Sequence, residues 1–215
     1  MSEIKTVLFD LDGTILDTNE LIITSFLEAL RGVVPEDFGR EDIIPSMGEP
    51  LNDQMRKFSG YEDVAELVAA YREVNLRLHD EYVVLFDNVQ EVIKRLHDEG
   101  IQIGIVTTKM RLTTERGLVF TGLADYVDAI VTIDDVVNPK PHPEPVAKAI
   151  ELLNANAATT IMVGDSIVDI QSANAAGAIS VGVSWSLKGA QILHAAGAAH
   201  VIDDMRDIYA LVGME

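Results

Sequence analysis

The sequence predicts an α/β protein: a parallel sheet with helices on both faces, interrupted after its first strand by a helical insertion. Three observations carry that expectation. A short run of β-formers, Thr6–Phe9, ends in the acidic pair Asp10 and Asp12. Residues 16–82 then place apolar side chains at helical spacing and offer no strand candidate. From Val83 onward, apolar runs of strand length alternate with amphipathic stretches, the pattern of βα units.

The elements follow in order. In "ELIITSFLEALRG", Ile22, Phe26, Ala29 and Leu30 share a helical face and Gly32 is a natural stop. Met47–Pro50, inside "PSMGEPLNDQM", reads as a turn. Val64, Leu67, Tyr71, Val74 and Leu78 repeat at helical spacing. After Val83, the face Val89, Val92, Ile93 and Leu96 makes a helix closed by Gly100. "IQIGIVTT", "YVDAIVT", "TTIMVGD" and "AISVGVS" are strand candidates, separated by a helix over 144–153 and a shorter one stopping at Gly177. Pro145 falls in a first turn, where proline is tolerated. The chain crosses into and out of the insertion near 16–19 and 83–88. The expected division is therefore 1–15 with 83–215 as the core, and 16–82 as the insertion.

Composition narrows the function. The chain of 215 residues has a net charge of −19, which repels a nucleic-acid backbone and favours metal ions. It has no cysteine, so thiolate nucleophiles, disulfides and thiolate metal centres are excluded. "MSEIKTVLFD" is charged where a signal peptide would be apolar, and no uncharged run approaches a membrane span. A soluble cytoplasmic protein is expected, without nucleic-acid or membrane partners. Oligomeric state is not readable.

Ligands of open parallel sheets bind beyond the carboxyl ends of the strands. Those ends here carry Asp10 and Asp12, Thr107 and Thr108, Lys140 in a following loop, and Asp165 with Asp169. Strand alternation would aim Asp10 and Asp12 at one spot. Converging carboxylates with no sulfur ligand suit Mg²⁺, which binds oxygen and pairs with phosphate. One carboxylate can attack phosphorus and the other can move the leaving-group proton. A hydroxyl and an ammonium can offset charge on the phosphoryl oxygens. Gly13 permits a sharp turn whose amides, with Thr14, can cradle phosphate.

"DLDGT", "VTTK", "NPKPHPEP" and "VGDSIVD" together resemble the haloacid dehalogenase-like hydrolase superfamily, over the whole chain. The resemblance implies a Rossmann-like core with the insertion as its cap, and a Mg²⁺-dependent phosphatase acting through an aspartyl-phosphate. Carried over by position, Asp10 is the nucleophile and Asp12 the general acid/base; the second Asp separates phosphatases from dehalogenases. Thr107 binds phosphate, and Lys140 steadies nucleophile and phosphate. Asp165 holds Mg²⁺ with the Asp10 side chain and the Asp12 carbonyl, and Asp169 supports that site. Gly13, Thr14, Thr108 and Lys109 are the expected substrate contacts. "LFDNV" departs from the family, replacing a usual Pro-Gly turn at the second crossing.

Within the superfamily, "DTNELIITSF", "YREVN", "TIDDV" and "WSLKG" are similar to a family of bacterial pyrophosphatases, with phosphoglycolate phosphatases as near neighbours. That implies a small anionic phosphate substrate, with pyrophosphate first and 2-phosphoglycolate or another phosphomonoester as the alternative. Lys109, Arg111 and Lys188, with Arg56 and Lys57 from the cap, are the cations available to a second phosphate. A phosphoglucomutase-like transferase shares every core motif, and a non-catalytic regulatory module would need a broken catalytic position. Other templates fail. A calcium loop needs acid at Thr14, glycine at Ile15 and glutamate at Leu21. "GVSWSLK" lacks the glycine before Lys188 that a P-loop requires. His79, His97, His142, His194 and His200 read as surface or satisfied histidines, and Trp185 as packing beside the site.

Overall fold

The structure is a computed structural model and describes residues 3–214. Strand β1 (Thr6–Phe9) leads through a tight loop into the two-residue strand β2 (Leu16–Asp17). Four helices follow: α1 (Asn19–Ala29), α2 (Arg40–Ile43), α3 (Leu51–Ser59) and α4 (Ala65–Tyr82). The chain returns through β3 (Val84–Leu85) into α5 (Val89–Asp98), β4 (Gln102–Val106), α6 (Arg111–Phe120) and β5 (Ala129–Val131). Then come α7 (Glu144–Leu152), β6 (Thr160–Gly164), α8 (Ile167–Ala176), β7 (Ile179–Val183), α9 (Ala190–Ala195), β8 (His200–Ile202) and α10 (Ile208–Leu211).

The main sheet is parallel and six-stranded, in the order β5-β4-β1-β6-β7-β8. β1 is flanked by β4 and β6, so the strand order reverses there, where α/β sheets open a binding crevice. Alternation along the strands divides the core into two layers. Val7, Phe9, Ile103, Ile105, Ile161 and Val163 pack on one face. Leu8, Val106 and Met162 pack on the other with Val146 and Ala149 of α7. Both faces are buried, so these strands read as continuous apolar runs.

The inserted helices have a separate core of Phe26, Leu30, Ile43, Met55, Val64 and Val68. The Phe26 ring lies 5.3 Å from Phe58 and 4.6 Å from Tyr71. This is the helical cap. The expectation of no strand within 16–82 needs correction: Leu16 and Asp17 pair antiparallel with Leu85 and Val84, tying the two crossings into a ribbon. Two residues per strand are too few to show alternation in a sequence. At the second crossing Asn88 takes φ +65°, a left-handed conformation that asparagine tolerates, and its side-chain amide donates to the Asp204 carboxylate at 3.0 and 3.2 Å. That is how "LFDNV" turns without a Pro-Gly pair.

Helix faces also depart from the sequence pattern. On α1 the buried positions include Leu21, Ile23 and Ser25 as well as Phe26, while on α4 they include Val68, Asn75 and His79. Asn75 Nδ2 donates to Ser25 Oγ at 3.4 Å, a polar contact between these two helices. α6 has no apolar stripe because its buried face is Thr113, Thr114, Gly117 and Leu118. A Cβ on Gly117 would lie 3.0 Å from the Leu16 Cδ1 methyl, a tight contact, so glycine lets this helix lie close to β2. His79 is wholly buried rather than a surface or satisfied histidine. Its Nδ1 is 2.8 Å from Asp80, and Nε2 has no partner among the described residues. Trp185 packs 5.9 Å from Phe86.

Candidate active site

Asp10 is the first residue beyond β1, and its amide donates to Val163 C=O of β6 at 2.8 Å. The backbone then folds back, with Ile15 and Leu16 amides both donating to Leu11 C=O at 3.1 and 2.9 Å. Asp10 and Asp12 therefore lie past the last strand residue, and strand alternation does not govern their directions. The Asp10 carboxylate meets Lys140 Nζ at 2.7 Å. Asp12 turns elsewhere: both its oxygens lie 3.0 Å from Lys109 Nζ, and one accepts from Thr18 Oγ1 at 2.8 Å.

Lys140 donates to Asp10 at 2.7 Å, Val106 C=O at 3.0 Å and Asp169 at 2.6 Å. An ammonium has three donors, so all are used by the protein. Burial alone would lower the pKa of this lysine, but the charges of Asp10 and Asp169 raise it above the usual value. Lys140 thus holds two carboxylates in place rather than presenting itself to the open side of the site. Asp169 is equally engaged, with one oxygen on Lys140 and the other accepting from both the amide and the hydroxyl of Ser166.

Asp10, Asp165 and Asp169 each place one carboxylate oxygen within 4.8 Å of the others. Burial raises the pKa of Asp10 well above the usual range; the charges of Asp169 and Asp165 push it further, against the pull of Lys140. Burial and Asp169 likewise raise Asp165 to about 7, with Lys188 and Lys140 opposing. A buried, all-oxygen, self-repelling cluster fits a hard divalent cation. The Asp12 side chain lies outside that cluster.

The other predicted contacts divide. Thr107 and Thr108 line a cavity of about 280 Å³ between core and cap, with Asp10, Asp12, Lys109 and Asp165. Thr107 accepts from the Lys109 amide at 3.1 Å, whereas Thr108 Oγ1 donates to Gly48 C=O of the cap at 3.2 Å. Gly13 and Thr14 are not on the cavity wall. The Gly13 amide donates to Leu16 C=O at 2.8 Å, and Thr14 is fully buried with an unpartnered hydroxyl. The Gly13 amide is thus engaged within the turn itself. Gly13 is required for another reason: at φ +85°, a Cβ would stand 2.7 Å from Asp165 Oδ2.

Of the cations expected to face a second phosphate, Lys109 and Arg56 line the cavity. Arg111 is turned to Asp135 at 2.6 Å and Glu115 at 3.2 Å. Lys57 donates to Ser46 at 2.6 Å, and Lys188 to Met47 C=O. Sequence reasoning missed Tyr71, Arg72 and Asn75, which α4 presents to the cavity. Tyr71 is held with a raised pKa by burial and by the Asp12 charge. Their signal lay in "YREVN", a stretch similar to bacterial pyrophosphatases in which only Tyr71 stood out, as a position at helical spacing.

Residues 7–183 match the family described as haloacid dehalogenase-like hydrolase. The chain belongs to that family, and it is an enzyme of the phosphatase type within it. It is 45% identical over 210 residues to a protein named Pyrophosphatase PpaX from Bacillus mycoides strain KBAB4, covering 98% of this chain and 97% of the relative. A protein of the same name from Bacillus cereus strain ATCC 10987 is 44% identical over 210 residues, with the same coverage of 98% and 97%. Among solved structures, a hydrolase from Pseudomonas syringae superposes with a TM-score of 0.86 at 24% identity, covering 97% of this chain and 98% of that one. A haloacid dehalogenase-like family protein from Streptococcus pneumoniae gives 0.85 at 21%, covering 98% and 99%. These two likenesses concern the fold alone. No helix among the described residues is long and apolar enough to cross a membrane.

Proposed function

We propose that the chain is a cytoplasmic, Mg²⁺-dependent inorganic pyrophosphatase acting through an aspartyl-phosphate. One observation carries the chemistry: a buried carboxylate, Asp10, fixed by Lys140 at the mouth of β1, borders a small cavity shared with Asp12 and Thr107. In this reading Asp10 attacks phosphorus and its Oδ–P bond forms as the bridging P–O bond breaks. Asp12 gives a proton to the departing phosphate, then takes one from the water that cleaves the phosphoaspartate. Thr107 binds a non-transferred oxygen. Asp10, Asp165 and the Asp12 carbonyl would hold the metal, with Asp169 behind them. Bound there, Mg²⁺ supplies positive charge that offsets carboxylate repulsion and the charge of the phosphoryl oxygens. The proposed domain division, 1–15 with 83–215 and 16–82 as cap, places the ribbon of β2 and β3 at the crossings.

Pyrophosphate as substrate rests on the 45% identity to a protein named for that activity and on the cavity of about 280 Å³. That volume lies at the lower end of ligand pockets and suits a small anion better than a sugar phosphate. The test is a rate panel of pyrophosphate, 2-phosphoglycolate and glucose 6-phosphate with Mg²⁺. The expected order puts kcat/KM highest for pyrophosphate. A preference for 2-phosphoglycolate of about tenfold, ~1.4 kcal/mol in transition-state binding, overturns the substrate and leaves the phosphatase chemistry standing.

A further inference from the structure

The cavity wall carries Asp10, Asp12, Glu49, Asp53 and Asp165 against Arg56, Arg72 and Lys109. Two of those cations are already committed. Lys109 pairs with Asp12 at 3.0 Å. Arg56 is held by Asp53 at 3.0 Å and donates to Glu62 C=O at 3.3 Å. Arg72 is different. It is exposed along the cap wall of the cavity and makes no hydrogen bond or ion pair with any described residue. The other arginines of the cap helices each have an acid: Arg40 meets Glu20 at 3.0 Å, Arg56 meets Asp53, and Arg77 meets Glu28 at 2.8 Å. Arg31, in the turn after α1, likewise has no acid among the described residues, but it does not line the cavity; Arg72 is the cavity arginine left without one.

Its root is firmly placed. Tyr71, the preceding residue, stacks against Phe26 at 4.6 Å, and Asn75, one turn on, is tied to Ser25. The backbone carrying Arg72 is thus pinned to α1 on both sides, while its guanidinium is free. A planar fork with five donors is suited to bidentate recognition of a phosphate or carboxylate. Asp10 and Thr107 occupy the core side of the same cavity, where the transferred phosphoryl group belongs; Arg72 occupies the cap side, where the leaving group belongs.

We propose that Arg72 determines specificity by binding a second anionic group carried on the leaving side of the substrate. This rests on the reading of Asp10 as the nucleophile, and for pyrophosphate the group bound is the departing phosphate. Acetyl phosphate is the comparison substrate: it is a small phosphoric anhydride whose leaving acetate carries no charge until the bond breaks.

The experiment measures kcat/KM of wild type, Arg72→Gln and Arg72→Lys on both substrates, with thermal melts to verify folding. Arg72→Gln is expected to lower kcat/KM for pyrophosphate about thirtyfold, ~2 kcal/mol, while acetyl phosphate changes by less than about threefold. Arg72→Lys keeps the charge without the fork and falls between. Equal losses on both substrates would mean that Arg72 supports the cap, and no loss on either would mean a solvated side chain; each overturns the proposal. If wild type prefers 2-phosphoglycolate, the pyrophosphate reading fails, and the same comparison with that substrate still decides Arg72, because glycolate carries a carboxylate. Binding gives an independent readout. Pyrophosphate titrated with Mg²⁺ into Asp10→Asn should bind about thirtyfold more tightly than into Asp10→Asn with Arg72→Gln, and equal affinities reject the assignment.

Discussion

Lys109 Nζ lies 3.0 Å from both carboxylate oxygens of Asp12. The sequence suggested Lys109 as one of the cations available to a second phosphate. The pairing ties it instead to Asp12, the proposed proton-transfer residue. Lys109→Gln leaves Asp12 with only Thr18, so its position and charge balance change for every substrate. The expected result is a fall in kcat of about 10²-fold on pyrophosphate and acetyl phosphate alike. A loss confined to pyrophosphate would return Lys109 to the second-phosphate role.

Asp10 and its partner Lys140 should respond oppositely in activity and stability. Asp10→Asn removes the proposed nucleophile but keeps an oxygen for Lys140, so turnover should drop by about 10³-fold or more with the fold intact. Without metal the variant should melt higher than wild type, because one of three mutually repelling carboxylates is gone. Lys140→Met leaves Asp10 and Asp169 buried without a counter-charge and should cost about 3–5 kcal/mol of stability. Denaturant unfolding of both variants, with rates on purified protein, measures each quantity. Substantial turnover by pure Asp10→Asn would rule out the aspartyl-phosphate.

The sheet and its acidic strand ends were legible because both have strong local signatures. β1, β4, β6 and β7 are apolar runs bounded by polar residues, and α8 stops at Gly177 with φ +78°. What escaped reading lacks periodicity or depends on tertiary contact. β8 is a three-residue edge strand, and α6 buries threonines and a glycine rather than an apolar stripe. Within the site, residue identity singled out Asp10, Asp12, Lys109 and Lys140 as candidates, but not who pairs with whom. Lys109 crosses to Asp12 over a separation of 97 residues, and Lys140 reaches Asp10 over 130. Gly13 and Thr14 were also singled out by residue type alone. Their composition suits a phosphate cradle, yet the loop spends the Gly13 amide on Leu16.

Stability of the metal-free protein should fall as pH rises. In the unfolded chain Asp165 and Asp10 ionise near the ordinary 3.8, whereas in the folded protein Asp165 holds its proton to about 7 and Asp10 is also raised. Above 3.8 the folded state binds more protons than the unfolded one, so unfolding free energy declines with pH, and the share due to Asp165 is lost by about 7. Melts in EDTA from pH 5 to 8 should show Tm falling, and Asp165→Asn should flatten the decline. Adding Mg²⁺ should raise Tm most at the upper end, where the carboxylates are ionised. Activity should vanish in EDTA and return with Mg²⁺. Ca²⁺ should inhibit, since its larger and more flexible shell aligns the nucleophile poorly. A Tm that is flat with pH and indifferent to Mg²⁺ would mean the cluster binds no metal.

The cap turn at Gly48 should control turnover more than folding. Gly48 has φ +94°, and a Cβ there would stand 2.9 Å from Ser166 Oγ, in the residue that braces Asp169. Its carbonyl accepts from Thr108 Oγ1 at 3.2 Å, and the adjacent Met47 carbonyl accepts from Lys188. These contacts hold the turn down over the cavity mouth. Gly48→Ala adds both a disfavoured backbone conformation, of order 1–3 kcal/mol, and a collision with the core. The cap can escape both by lifting at the β2 and β3 ribbon, whereas the sheet core loses no contact of its own. The strain should therefore appear as an opened site: kcat/KM down about tenfold or more, with Tm lowered by only a few degrees. Lys188→Met removes one hold without adding strain and should give a smaller loss in the same direction. Steady-state kinetics and melts on both variants check the ranking, and a large drop in Tm with unchanged kinetics would make the turn a folding element instead.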